Sequence, residues 1–224
     1  MYKEKFINFL LENGAFLYDN SYNLESGRNS PYYINTGVFY RGENIKEIGY
    51  YYASKITDKF DPEEYDIIFG PAYKGIPLCI ATAIALNEDF KINKNFAFNR
   101  KEPKSHGEST NQNWIVGCEI KEGDKILIVD DVFTTGNTKY EIIDLLNGLV
   151  NNIQYTGIII AVDRQETGKD GVDAIKQFEK TTDLSVDSIV NINDIVEYLH
   201  NKGKITEDKL KEIEDYRNRF GSKR

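Results

Sequence analysis

Cysteine and histidine are both scarce in this 224-residue chain, two of each, and the scarcity removes whole classes of chemistry. Cys79 and Cys118 lie too far in sequence from any cysteine or histidine partner to suggest a disulfide framework or a zinc site, so both are read as ordinary buried thiols. Positive charge is short as well. With 28 Lys and Arg against 36 Asp and Glu, the formal net charge is −8, which argues for no nucleic acid and no anionic membrane as partner, because phosphate-backbone affinity needs a basic surface. The longest unbroken apolar run, Ile158 to Val162, is far too short to cross a bilayer. Residues 1–14 alternate charged and apolar side chains at helical spacing and lack the hydrophobic segment of a secretory signal, so a cytoplasmic address is expected. No Pro/Ser-rich or charge-rich linker divides the chain, and residues 1–224 are read as one domain.

What is present is a regular alternation of short apolar runs with amphipathic segments. Helices are expected over residues 3–12, 44–59 and roughly 138–149; in the second, Ile45, Ile48, Tyr52 and Ile56 fall on one face. Strands are expected over residues 66–69, 95–98, 125–129, 156–162 and 186–190, most of them followed by Gly, Asp or Asn. The pattern predicts an α/β fold with a central parallel sheet flanked by helices, and in such sheets ligands bind beyond the carboxyl ends of the strands.

The richest segment there runs from Lys125 to Thr138. Ile126 to Val129 form a strand apolar on both faces that delivers two adjacent carboxylates, Asp130 and Asp131. Thr134, Thr135, Gly136, Asn137 and Thr138 then bring hydroxyls, a flexible glycine and unpaired N–H groups to the start of a helix, a ready anion site. Acids for sugar hydroxyls beside donors for a phosphate suit a ribose 5-phosphate; a solvated acidic turn is the plainer alternative. Successive strand side chains point to opposite faces, so the two carboxylates are read as sugar ligands and not as a metal pair.

Three further segments sit at strand ends. After residues 66–69, Gly70-Pro71-Ala72-Tyr73-Lys74-Gly75 opens a helix; its two glycines permit close approach to a ligand and Lys74 adds a cation, although a Gly-Pro turn with a solvated lysine reads equally well. After residues 95–98, Arg100, Lys101, Lys104 and His106 fall within seven positions of a long polar loop, a lid in one reading and a solvated charge run in the other. His200 is read as a surface residue of a polar carboxyl-terminal helix. Arg164 follows the 156–162 strand and is placed either to fork onto a ligand carboxylate or to pair with Asp163 or Glu166. Near the amino end, residues 24–35 form a turn-rich segment leading into an aromatic stretch, with a hairpin as the simple reading.

Together these segments resemble the orotate phosphoribosyltransferases over nearly the whole chain. Val129 to Gly136 is similar to the phosphoribosyl diphosphate (PRPP) motif of type I phosphoribosyltransferases, which does not by itself fix the base. Residues 26–32, 69–76, 98–108 and 163–166 match the orotate branch. The resemblance implies the type I phosphoribosyltransferase fold with a small hood from about residues 15–40, and transfer of the phosphoribosyl group of PRPP to N1 of orotate in pyrimidine synthesis.

It also implies roles. Asp130 and Asp131 would hold the ribose hydroxyls, with Lys104 and His106 as catalytic partners. Thr134 to Thr138 would cradle the 5-phosphate, with Val132 and Phe133 also among the PRPP contacts, while Tyr73, Lys74, Arg100, Lys101, Lys104 and His106 would meet the diphosphate. Orotate would stack near Tyr33 and Ile34, with Arg164 and Thr134 on its polar edge. Mg2+ would be bound mainly through PRPP and waters, without dedicated protein ligands. The loop reaching a neighbouring site implies a homodimer. One departure is Glu25, where many relatives carry Lys, so that residue is given no ligand role. Transfer to another base and a ligand-sensing regulator are the competing readings; a carboxylate-dependent Arg164 separates the first, and the missing basic surface weighs against the second.

Overall fold

The structure is a computed structural model that describes residues 2–24, 26–103, 113–168 and 171–222. Side-chain alternation organises it. In the strand Lys125–Asp130, Leu127 and Val129 enter one core while Ile126 and Ile128 enter a second on the opposite face, as a pleated backbone requires. An apolar strand of this kind must be covered on both sides, and at ~1.5–3 kcal/mol per buried aliphatic side chain those four residues alone hold it centrally.

The amino-terminal part comprises α1 (Tyr2–Glu12), β1 (Phe16–Leu17), β2 (Tyr22–Asn23), β3 (Asn29–Ser30), β4 (Tyr33–Ile34) and α2 (Gly42–Lys59). Then follow β5 (Ile67–Gly70), α3 (Gly75–Phe90), β6 (Asn95–Asn99), β7 (Ile115–Gly117), β8 (Lys125–Asp130), α4 (Asn137–Leu149) and β9 (Gln154–Asp163). The chain continues through α5 (Ala174–Thr182), β10 (Val186–Asn191), α6 (Ile192–Asn201) and α7 (Glu207–Phe220). The main sheet has the order β10-β9-β8-β5-β6-β7. The first core packs α1, α2, α3, α6 and α7 on one face, through residues such as Phe6, Ile48, Leu86, Ile195 and Ile213. The second packs α4 and α5 on the other, through Ile142, Leu146, Ile175 and Phe178.

The expected strands and helices are present, and the face foreseen for α2 is inward: Ile48, Tyr52 and Ile56 are buried. Two expectations are corrected. The sheet is parallel except at its edge, where β7 runs antiparallel to β6. The described ends of the connection close on each other, with the Arg100 N–H donating to the Trp114 carbonyl at 2.6 Å, a pairing of β7 with β6 that is antiparallel. His200 is exposed as expected, but its helix α6 is not polar throughout, since it buries Ile192, Ile195, Val196, Tyr198 and Leu199.

Residues 16–34 form two small antiparallel pairs, β1 with β4 and β2 with β3, so the hairpin reading of the 24–35 segment is correct at β2–β3. Strand order reverses between β5 and β8: β5 leads through α3 to β6 on one side, and β8 leads through α4 to β9 on the other. The carboxyl ends of these two neighbours therefore open a crevice that neither crossover covers.

Candidate active site

The acidic pair sits at that crevice, and its two members face different ways. Asp131 accepts from the Thr36 hydroxyl and the Lys74 ammonium on one oxygen, each at 2.8 Å, and from the Val132 N–H at 2.8 Å on the other. Asp130 accepts from the Asp131 N–H at 2.9 Å and from the Lys139 ammonium, which also donates to the Val132 carbonyl at 2.8 Å. The hydroxyl of Tyr52 donates to the Asp130 carbonyl at 2.6 Å and fixes the strand end from the α2 side. Burial works against charge on Asp131, but the Lys74 ammonium, the Thr36 hydroxyl and the Val132 N–H together hold its carboxyl below the usual range. Asp130 goes the other way: burial pushes its carboxyl up, and Lys139 only partly offsets that. Burial likewise disfavours charge on Lys74, yet Asp131 more than compensates and its pKa is raised.

A cleft of about 260 Å³ opens over Asp131, lined among others by Thr36, Phe39, Tyr73, Lys74 and Pro77. Tyr73 is 72% exposed, and the Lys74 side chain is 62% exposed, so both are available to a ligand. The Tyr33 hydroxyl lies near enough to act electrostatically on Lys74, which ties β4 to the same cleft.

The glycines of the Gly70–Gly75 turn have a packing job of their own. A Cβ on Gly70 would meet the Gly75 carbonyl oxygen at 2.1 Å, and one on Gly75 would meet Gly70 at 2.8 Å. The close approach they permit brings the strand end against the helix start. Asn99 holds the same turn, its side-chain oxygen accepting from the Ala72 N–H at 2.8 Å.

Beyond the acids, Gly136 takes a left-handed conformation (φ 80°) and no side chain caps α4, leaving N–H groups at its amino end for an anion. Thr134, Thr135 and Asn137 are exposed around it, and Thr138 is half-buried. In Phe133 and Val132, expected among the PRPP contacts, the ring of one and the backbone of the other are already engaged. The Phe133 ring is buried edge-on against Phe178 at 5.3 Å, and the Val132 N–H and carbonyl are already bonded to Asp131 and Lys139. The Phe133 ring anchors the loop from below.

Arg100 and Lys101 are exposed at the end of β6, where the polar loop leaves the sheet. Lys104, His106 and Glu25 lie outside the described residues. Arg164 is half-buried, with a side chain 15% exposed, and it pairs with Glu166, bonded to Nε at 3.0 Å and Nη2 at 2.6 Å. Nη2 also donates to the Ser30 hydroxyl at 3.0 Å, and the guanidinium lies over the Tyr32 ring at 4.4 Å. Tyr33, 38% exposed and stacked on Tyr22, and the half-buried Ile34 follow directly. Arg164 is therefore joined to the hood strand that carries the expected base contacts, while Lys74 and Asp131 form the cleft beside it.

Sequence comparison agrees with this geometry. The phosphoribosyl transferase domain family matches residues 36–195. An orotate phosphoribosyltransferase of Aliivibrio fischeri is 39% identical over 220 residues, covering 98% of each chain, and one of Clostridium beijerinckii is 36% identical over 227 residues, covering 99% of each. This chain belongs to the orotate phosphoribosyltransferase family. The crystal structure of the orotate phosphoribosyltransferase of Francisella tularensis superposes with a TM-score of 0.83 at 33% identity, covering 97% of this chain and all of that one. Thr36 and Lys139 escaped the sequence reading. Lys139 had a signal: a lysine in the first turn of a helix opposes the helix dipole, so it needs a partner, and Asp130 is that partner.

Neither cysteine is suited to nucleophilic work. Burial pushes the Cys79 thiol up to about 12 and that of Cys118 to about 11, so both stay protonated near neutrality.

Proposed function

We propose that the chain transfers the phosphoribosyl group of PRPP to N1 of orotate, releasing diphosphate and giving orotidine 5′-monophosphate for UMP synthesis. The observation that carries this reading is the joining of Asp131 and Lys74 in one cleft at the sheet's switch point, beside an arginine at the end of β9 that is bonded to the hood. Asp131 takes the ribose hydroxyls, with Asp130 behind it. The amino end of α4 receives the 5-phosphate, and Lys74 with Tyr73 receives the diphosphate. As the C1–O bond breaks, positive charge builds on the ribose and negative charge on the leaving group, so cations around the diphosphate matter more than a strong base. Lys74 exchanges one anion for another as PRPP enters, leaving Asp131 for the sugar.

Each carboxylate of the acidic pair already accepts from an ammonium group, a donor set that suits a cation carried by the substrate. Mg2+ would accompany the PRPP oxygens and waters, and when bound it supplies charge neutralisation to the diphosphate. Arg100, Lys101, Lys104 and His106 close over the diphosphate in a cytoplasmic homodimer, each lid reaching the neighbouring site, with residues 1–224 acting as one domain.

A base panel tests the reaction: with PRPP and Mg2+, orotate is consumed while uracil and adenine are not. Comparable consumption of uracil or adenine overturns the assignment. The lid has its own test. A charge-assisted hydrogen bond contributes ~1.5–3 kcal/mol, so Lys104→Ala lowers turnover at least tenfold with the far-UV spectrum unchanged; unaltered steady-state and single-turnover rates reject the role.

A further inference from the structure

Glu166 gathers more polar partners than any role in the reaction accounts for. One of its oxygens accepts from the Tyr32 hydroxyl at 2.8 Å and from both Nε and Nη2 of Arg164. The other accepts from the Tyr216 hydroxyl at 3.2 Å and lies 3.8 Å from Arg28 Nη1. Its side chain is only 12% exposed. Partners thus come from the hood, from the end of β9 and from α7. Two further contacts keep this junction fixed: Arg28 donates to the Thr167 and Gly168 carbonyls, each at 2.6 Å, and Gln165 between the two charged residues holds a left-handed backbone (φ 51°). That backbone brings Arg164 and Glu166 face to face across a single residue.

We infer that Glu166 is the positioning residue for Arg164, fixing the plane of its guanidinium toward the carboxylate of the base. Among the described residues, the bonds to Glu166 and Ser30 engage Nε and Nη2, so the approach of an anion is directed to the Nη1 side. An arginine free to rotate would lose that direction, because fork geometry is what separates guanidinium recognition from that of a point charge. The charges agree: two guanidiniums and one carboxylate leave one positive charge in a half-buried cluster, which matches a monoanionic base and not a neutral one. Tyr216 makes α7 part of base selection although it lies far from the phosphate loop in sequence.

The inference rests on the reading that Arg164 meets the base, and the test separates the two. In Glu166→Gln the KM for orotate rises at least tenfold while that for PRPP changes less than twofold. Tyr216→Phe, which removes one hydroxyl from the same carboxylate, raises the KM for orotate about threefold and keeps the test open should Glu166→Gln fail to fold. Arg164→Gln is the reference. If it leaves the KM for orotate unchanged, the base-site reading fails. If it raises that KM but neither the Glu166 nor the Tyr216 variant does, positioning by Glu166 alone is wrong. Equal rises in both KM values, with a lowered melting temperature, mark Glu166 as merely structural and also overturn the inference.

Discussion

Replacing Asp131 by asparagine lowers turnover at least a hundredfold and weakens PRPP binding, with little change in unfolding free energy. The asymmetry follows from where this carboxylate sits. Its ion pair with Lys74 involves a lysine whose side chain is 62% exposed, and pairs of that kind contribute only ~0–1 kcal/mol to stability. Its value to catalysis is larger, because two sugar hydroxyls donating to a carboxylate amount to ~1.5–3 kcal/mol each, about ten- to a hundredfold apiece in rate when expressed in the transition state. Asparagine keeps the size and one acceptor but neither the charge nor the full acceptor set. Initial rates against PRPP concentration, with titration calorimetry for PRPP itself, provide the check. Turnover within threefold of the parent enzyme would remove Asp131 from the sugar site.

Lys139→Met has the opposite profile, acting first on the fold. Lys139 and Asp130 are nearly inaccessible, with side chains 6% and 8% exposed. Methionine fills a comparable volume but leaves the Asp130 carboxylate buried without its cation. Breaking a buried pair by removing one partner costs ~3–5 kcal/mol, mostly from the charge left behind. The expected result is a loss of that size in urea-induced unfolding at neutral pH, and partial recovery in the double variant Lys139→Met with Asp130→Asn, where no charge is stranded. The sign with pH is also fixed. Without Lys139 the Asp130 carboxyl is pushed further up by burial, so the deficit shrinks as acidification protonates it. A single variant as stable as the parent, or a deficit that grows on acidification, would contradict the pairing.

The fold was legible where one physical rule dominated. Ile126 to Val129 could only be a strand covered on both faces, and the 3.6-residue spacing of Ile48, Tyr52 and Ile56 could only be one helix face. The edge strand β7 escaped because three residues after a polar loop carry no periodic signal, and its pairing is decided by β6 across the sheet. Helices α5 and α7 were not read either; the buried residues of α7 are Ile213 and Tyr216 alone in an otherwise charged segment. Within the site, Asp131 and Lys74 were found at strand ends by their chemistry, whereas Thr36 has no local signature and becomes a partner only through tertiary structure. Arg164 shows the boundary most clearly. Its sequence position left a ligand, Asp163 and Glu166 all open, and only the packing of Tyr32 and Tyr216 around Glu166 explains the choice.

Thr36 and Lys74 meet at one oxygen of Asp131 across sequence separations of 95 and 57 residues. No fragment confined to one part of the chain holds all three, so a partly folded polypeptide lacks the assembled grip on the substrate. Substrate held at a hundred times its Kd then adds about 2.7 kcal/mol to the native state by mass action. The metabolite pool thereby becomes a conditional guardian of the protein against proteolysis, and starvation for PRPP shortens its lifetime before it limits its chemistry.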